Sequence, residues 1–178
     1  MISPDSHPNI TIRAASPADT DVLSKLCKET FYETFAADNR EEDMQQYLSQ
    51  SFSKEAIAGE MQQPESLFII AEADSKAAGY ARVIKNEYLQ EPGNRYAMEM
   101  QRLYVKQEYH GHKLGYALMQ HCIAHAKRKG ADALWLGVWE HNHKAINFYR
   151  KVGFVRTGEH PFVLGSDIQT DWIMELTL

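Results

Sequence analysis

The hydrophobic period of the chain changes part-way along, and that change limits the fold more than any other feature. Val22, Leu23, Leu26, Cys27, Phe31 and Phe35 recur at helical spacing after Ser16-Pro17-Ala18-Asp19, which supplies an N-cap, a first-position proline and the acid of a capping box. Further helices are predicted around Glu41–Gln50 and after Ser53. From Ser66 the pattern becomes that of strands: Leu67–Ala73 and Gly79–Lys85, joined by a turn at Asp74-Ser75-Lys76-Ala77, then Tyr96–Val105 after a loop marked by Pro92-Gly93. A helical stripe returns at Leu114, Ala117, Leu118, His121, Cys122 and Ala126, stopped by Gly130. A strand at Ala133–Val138, a helix at His143–Val152 and strands near Phe154–Glu159 and Gln169–Leu176 follow. With the early strand Asn9–Arg13, the order implies an α/β or α+β domain on a mixed sheet, with helices able to cover both faces.

At 178 residues the chain suits one domain, over residues 9–178, after a loose N-terminal tail at residues 1–8. Nineteen Lys and Arg against 24 Asp and Glu give a formal charge of −5, which offers no general field for nucleic acid. Lys127-Arg128-Lys129 reads as a solvated helix end that complements the helix dipole. No apolar run approaches the ~20 residues that span a bilayer, and the first residues lack the pattern of a secretory leader, so no membrane role is expected. Cys27 and Cys122 both lie within apolar helical stripes, as reduced thiols of a cytoplasmic protein would. His121 and His125 are spaced i, i+4, yet no accompanying glutamate or third ligand gives a metal motif, so no metal site is expected.

Chemistry is concentrated in two segments. In Leu103–Leu118 a strand runs through His110-Gly111-His112-Lys113-Leu114-Gly115 into a helix, a junction whose unpaired N–H groups and positive helix end suit an anion such as a pyrophosphate. It lacks the Gly-Lys-Ser/Thr of a Walker A loop and the glycines of a dinucleotide fingerprint. The second segment reads Asn142-x-x-Ala145-x-x-Phe148-Tyr149-x-x-x-Gly153-Phe154 after the strand Trp135–Trp139. Together the two resemble the acetyl-CoA-dependent GNAT N-acetyltransferases, with His110 where that family has Arg or Gln and Lys113 where it has a glycine. Phe31–Phe35, Met98–Val105, Leu136–Glu140 and Phe162–Asp171 are further similar to the PaiA-type bacterial spermidine/spermine acetyltransferases.

The resemblance implies a mixed, mostly antiparallel twisted sheet of about seven strands, helices on both faces, and acetyl-CoA as co-substrate. The backbone of Leu103, Tyr104 and Val105 would hold the pantetheine arm, with the Leu103 N–H as oxyanion donor. His110, Gly111, His112, Lys113, Gly115 and Tyr116, together with Asn142, Phe148 and Lys151, would complete the cofactor contacts, Asn142 serving equally as a plain N-cap. Tyr149 falls where the family places its general acid, and Glu99, of the same strand parity as Leu103, where several members place a base; a buried salt bridge is the structural alternative for Glu99. The acceptor would be a small amine, a polyamine in the PaiA-like case. Phe31, Tyr32, Glu33, Phe35 and Glu41 could form its mouth, or simply a solvated acidic face over an aromatic core. A protein N-terminus, a lysine, an aminoglycoside, or a CoA-binding regulator without turnover are the competing readings, and a homodimer is left open.

Overall fold

The helical stripes of the first third and the alternating runs after Ser66 sort onto two sides of one sheet. The computed structural model describes residues 8–86 and 95–178. Its chain order is β1 (Ile10–Ala14), α1 (Thr20–Phe35), α2 (Glu41–Ser51), α3 (Lys54–Gln62), β2 (Ser66–Ala73), β3 (Lys76–Lys85), β4 (Ala97–Val105), α4 (Leu114–Arg128), β5 (Ala133–Trp139), α5 (His143–Val152), β6 (Val155–Leu164) and β7 (Asp167–Thr177). The seven strands lie in the order β1-β2-β3-β4-β5-β7-β6, and only β4 and β5 run parallel, joined by the crossover helix α4. This is an α+β domain of the expected class. The loop at Pro92-Gly93 and residues 1–7 of the expected tail lie outside the described residues; Pro8 is buried.

Strand alternation divides the core. Phe68 and Ile70 of β2 face α1–α3, where Leu23, Leu26, Phe31, Met44, Phe52 and Ile57 are buried. Ile69 and Ala71 face the other way, against Leu114, Leu118, Met119 and Cys122 of α4. Burial on both faces accounts for the near-continuous apolar runs of the central strands. No helix among the described residues is long and apolar enough to cross a membrane.

Local chemistry differs from expectation at three places. The capping acid is used as anticipated, its carboxylate accepting the Ser16 N–H at 2.7 Å, but Pro17–Asp19 form a short 3-10 turn and α1 proper starts at Thr20. The β2–β3 turn needs only Asp74 and Ser75, both at positive φ (49° and 64°), as a tight two-residue hairpin requires. β6 and β7 extend to a hairpin at Gly165-Ser166, beyond the expected ends. Pro161 is accommodated because β6 is the sheet's edge strand, where a missing N–H goes unused.

One buried ionic cluster fixes the middle of β4. Glu60 of α3 accepts both Arg102 nitrogens at 2.6 and 2.8 Å and lies 3.0 Å from Arg82, whose side chain is only 2% exposed. Arg82 also bonds Gln63, Ser66 and Gln101. Here Arg82 pairs with Arg102 but Val83 with Met100, so β4 carries an extra residue, Gln101, and is bent by a bulge.

Candidate active site

β4 and β5 pair over only three rungs, Ala97 with Ala133, Met98 with Leu134 and Glu99 with Trp135. Past the bulge they diverge, and a cavity of about 700 Å³ opens between them, walled by Leu103–Val105, Gly137–Trp139 and Phe148-Tyr149. The Lys106 N–H bonds to Ala78 O at 2.9 Å, which sets the phase of the β3–β4 ladder. Alternate rungs then direct the main-chain groups of Leu103 and Val105 away from β3, toward the gap.

The loop after β4 ends in a left-handed residue. Gly111 (φ 89°) and Lys113 (φ 63°) both have positive φ, so Lys113 holds a conformation that its side chain disfavours and that a glycine would take freely. The first helical bond of α4 runs from the Ala117 N–H to Lys113 O at 3.0 Å, so the N–H groups of Leu114, Gly115 and Tyr116 precede the helix's ladder, an arrangement that suits an anion. The His110 imidazole holds the loop in place. A carbonyl only accepts, so His110 Nε2 donates to Val105 O at 2.8 Å, leaving Nδ1 to accept from Lys144 Nζ at 2.9 Å. His110 therefore links β4, the loop and α5.

Titratable groups inside the cavity are displaced by burial. Burial pushes the Tyr149 phenol well above its usual range and so keeps it protonated. Glu99 is also raised by burial, partly offset by the Asn86 Nδ2–H that donates to its carboxylate at 2.6 Å. Asp171 of β7, which the sequence reading did not select, is raised to about 6 by burial, opposed by His160. Cys27 is pushed up to about 11 and Cys122 to about 12 by burial, which leaves both thiols inert.

The structure gathers many of the selected residues on this cavity: Glu99, Leu103, Tyr104, Val105, His110, Gly111, Lys113, Gly115, Tyr116, Asn142, Phe148 and Tyr149, with Phe31 and Phe35. Asn142 also caps α5, its Oδ1 accepting the Ala145 N–H at 3.2 Å. His112 and Lys151 are not among the lining residues. Three proposed acceptor residues, Tyr32, Glu33 and Glu41, lie away from this cavity. Glu33 is spent on the fold, accepting the Gln107 N–H at 2.9 Å, while Tyr32 turns outward and donates to Glu41 at 3.3 Å. Tyr32 and Glu33 line a separate shallow hollow with Lys28 and Gln45, and none of the three reaches the cavity. Among the described residues, the carboxylates that do reach it are Glu99 and Asp171. Asp171 lies in the Phe162–Asp171 stretch and Lys144 at an unspecified position of the Asn142-x-x-Ala145 segment. Neither they nor His160 carry a local sign of their place: they meet the cavity through strand register and helix placement, which the assembled sheet reveals.

A family model described as the acetyltransferase (GNAT) family matches residues 26–154. The chain is 33% identical over 169 residues to an uncharacterized N-acetyltransferase of Lactobacillus delbrueckii subsp. lactis, covering 95% of this chain and 98% of the relative. It is 30% identical over 152 residues to the spermidine N(1)-acetyltransferase of Thermoplasma acidophilum, covering 82% and 88%. The crystal structure of the PaiA N-acetyltransferase from T. acidophilum in complex with coenzyme A superposes with a TM-score of 0.77 at 28% identity, covering 96% of this chain and 99% of that one.

Proposed function

Because the chain belongs to the GNAT acetyltransferase family, we propose that it transfers acetyl from acetyl-CoA to a primary amine, a polyamine such as spermidine or spermine, by direct attack within a ternary complex. The observation that carries this reading is the gap beyond the Glu99–Trp135 rung, with main-chain groups of β4 that β3 does not use on one side and Tyr149 on the other.

The cavity fits the co-substrate on physical grounds. An extended arm can pair with the edge of β4 at Leu103 and Val105 as a further strand would, with the Val105 carbonyl already engaged by His110. The N-terminal N–H groups of α4 suit a pyrophosphate, and Lys144 and Lys113 add positive charge beside them. Acetyl-CoA supplies an activated acyl group; the remaining work falls to this chain.

That work has three parts. An alkyl ammonium has a pKa near 10.4, so only about one amine in a thousand is nucleophilic at neutral pH. Glu99, desolvated but held by Asn86, takes the proton directly or through one water. The Leu103 N–H faces the charge that develops on the acyl oxygen, and one such donor is worth about 3 kcal/mol. Tyr149, kept protonated by burial, donates to the departing thiolate, whose own pKa is about 8.5. No acyl-enzyme is needed, and the buried cysteines offer no nucleophile.

The polyamine assignment is supported by the T. acidophilum spermidine acetyltransferase among the relatives and by the two carboxylates among aromatic rings in the cavity. Incubation with acetyl-CoA and a panel of amines tests the reaction: one thiol released per N-acetylated polyamine is the expected result. Thiol release only by hydrolysis overturns it, and no release with any amine overturns it in favour of a CoA-binding regulator.

A further inference from the structure

We propose that Asp171 anchors a second ammonium group of the acceptor, next to the amine that reacts, so that this subsite sets the preference for polycationic over monocationic amines. The proposal rests on the amine acetyltransferase reading and goes beyond it by assigning a binding site.

The placement follows from register. Asp171 pairs with Trp139 on β5 and with His160 on β6, so one neighbour is an indole and the other an imidazole. Beside them β5 has Gly137, where a Cβ would lie 3.0 Å from His160 Nε2 and 3.4 Å from Asp171 Oδ2. The two polar atoms converge on the space a side chain would otherwise fill. The walls are aromatic: Phe35 meets Trp139 at 6.2 Å between ring centres and Tyr104 at 6.4 Å, while Tyr47 meets Phe162 at 5.8 Å.

Among the described residues, no side-chain hydrogen bond or ion pair reaches the Asp171 carboxylate. This part-buried carboxylate has no Lys or Arg counterion among the described residues, and desolvation, opposed by His160, raises it to about 6. An ammonium group supplies that counterion, and the surrounding rings hold its charge through their faces. Among the described residues, no group of three His, Cys, Asp or Glu side chains is placed to hold a metal ion here. Glu33 and Glu41, by contrast, face away from the cavity, so Asp171 takes the place of the acidic mouth expected from α1 and α2.

The pH response involves every group around the carboxylate. His160 faces it from β6, Tyr104 from β4 and Tyr47 from α2, with Glu99 on β4 interacting with the same imidazole. Burial keeps both phenols protonated, so they stay neutral through the acidic range. Acidification through that range removes the negative charge of Asp171 and with it the attraction for a bound cation.

Calorimetric titration of the CoA-saturated protein with spermidine and with n-butylamine tests the proposal at pH 7.5 and pH 5. The wild type is expected to bind spermidine at least tenfold tighter than butylamine at the higher pH, and to lose most of that margin at the lower. Asp171→Asn should weaken spermidine at least tenfold, leave butylamine within about twofold and be nearly indifferent to pH; Asp171→Glu should restore part of the affinity. Wild-type spermidine affinity in Asp171→Asn, or an equal loss for both amines, overturns the subsite. Spermidine binding that depends on Asp171 without any acetylated product overturns the acetyltransferase reading alone. Acetylation of polyamines that is indifferent to Asp171 overturns the subsite alone.

Discussion

Glu99 and Trp135 form the last rung between β4 and β5, and the site occupies the space their strands leave on parting. Glu99 is therefore held by sheet geometry on one side while its carboxylate faces the cavity on the other, where Asn86 donates to it.

Tyr149 sits across that cavity in a buried, apolar setting. Replacing it with Phe removes one oxygen and keeps the packing against Phe148 and Phe154. The expected outcome is a kcat lower by roughly 100-fold with the acetyl-CoA dissociation constant nearly unchanged, measured by steady-state kinetics and calorimetry. Unchanged turnover in a folded variant removes Tyr149 from the mechanism.

The proposed pyrophosphate loop is expected to depend on its backbone conformation more than on its side chains. Gly111→Val places a branched residue at φ 89° and is expected to weaken acetyl-CoA at least tenfold. Lys113→Gly relieves a left-handed lysine at φ 63°, so it should raise stability by roughly 1 kcal/mol and alter affinity only a few-fold. Thermal melts and calorimetry read both effects; a tenfold loss in Lys113→Gly would show that the ammonium group, not the loop, binds the phosphates.

Glu60 holds two guanidinium groups at the bulge of β4. Glu60→Gln leaves Arg82 and Arg102 in the interior without their carboxylate, and a loss of about 3–5 kcal/mol in unfolding free energy is expected. Denaturant titration measures it, and a loss under about 1 kcal/mol would mean the cluster is solvated.

Asp171 should lower stability in return for binding. Its carboxyl rises from the usual 3.8 to about 6 on folding, so between those values the native state binds more protons than the unfolded chain. Stability therefore falls as pH rises through about 4–6, and the cost is fully present above 6. Asp171→Asn is expected to melt higher than wild type at pH 7 and to lose that advantage at pH 4. A variant less stable at pH 7 would show that the carboxylate is paired after all.

The sheet, the two helical layers and the strand–loop–helix junction were legible because each rests on a local pattern: the stripe of α4, the alternation of β2 and β3, the glycine at 111. Element ends were less legible. Residues 160–168 hold only the short apolar run Phe162-Val163-Leu164 between Pro161 and Gly165, and their extension into a hairpin comes from pairing between β6 and β7. The acceptor side was least legible of all. Glu33 and Glu41 stood close to aromatics in sequence, but the helical turn directs them to Gln107 and Tyr32. Asp171 and His160 are eleven residues apart along the hairpin and meet only because their strands pair in one register.

Acetyl transfer to a cationic small amine is tested by comparing kcat/KM for spermidine with that for a monoamine, a lysine-containing peptide and an aminoglycoside. The expected result is a preference for spermidine of at least tenfold over each, reduced by added salt as an electrostatic acceptor site requires. A clear preference for any of the other three would contradict the polyamine assignment.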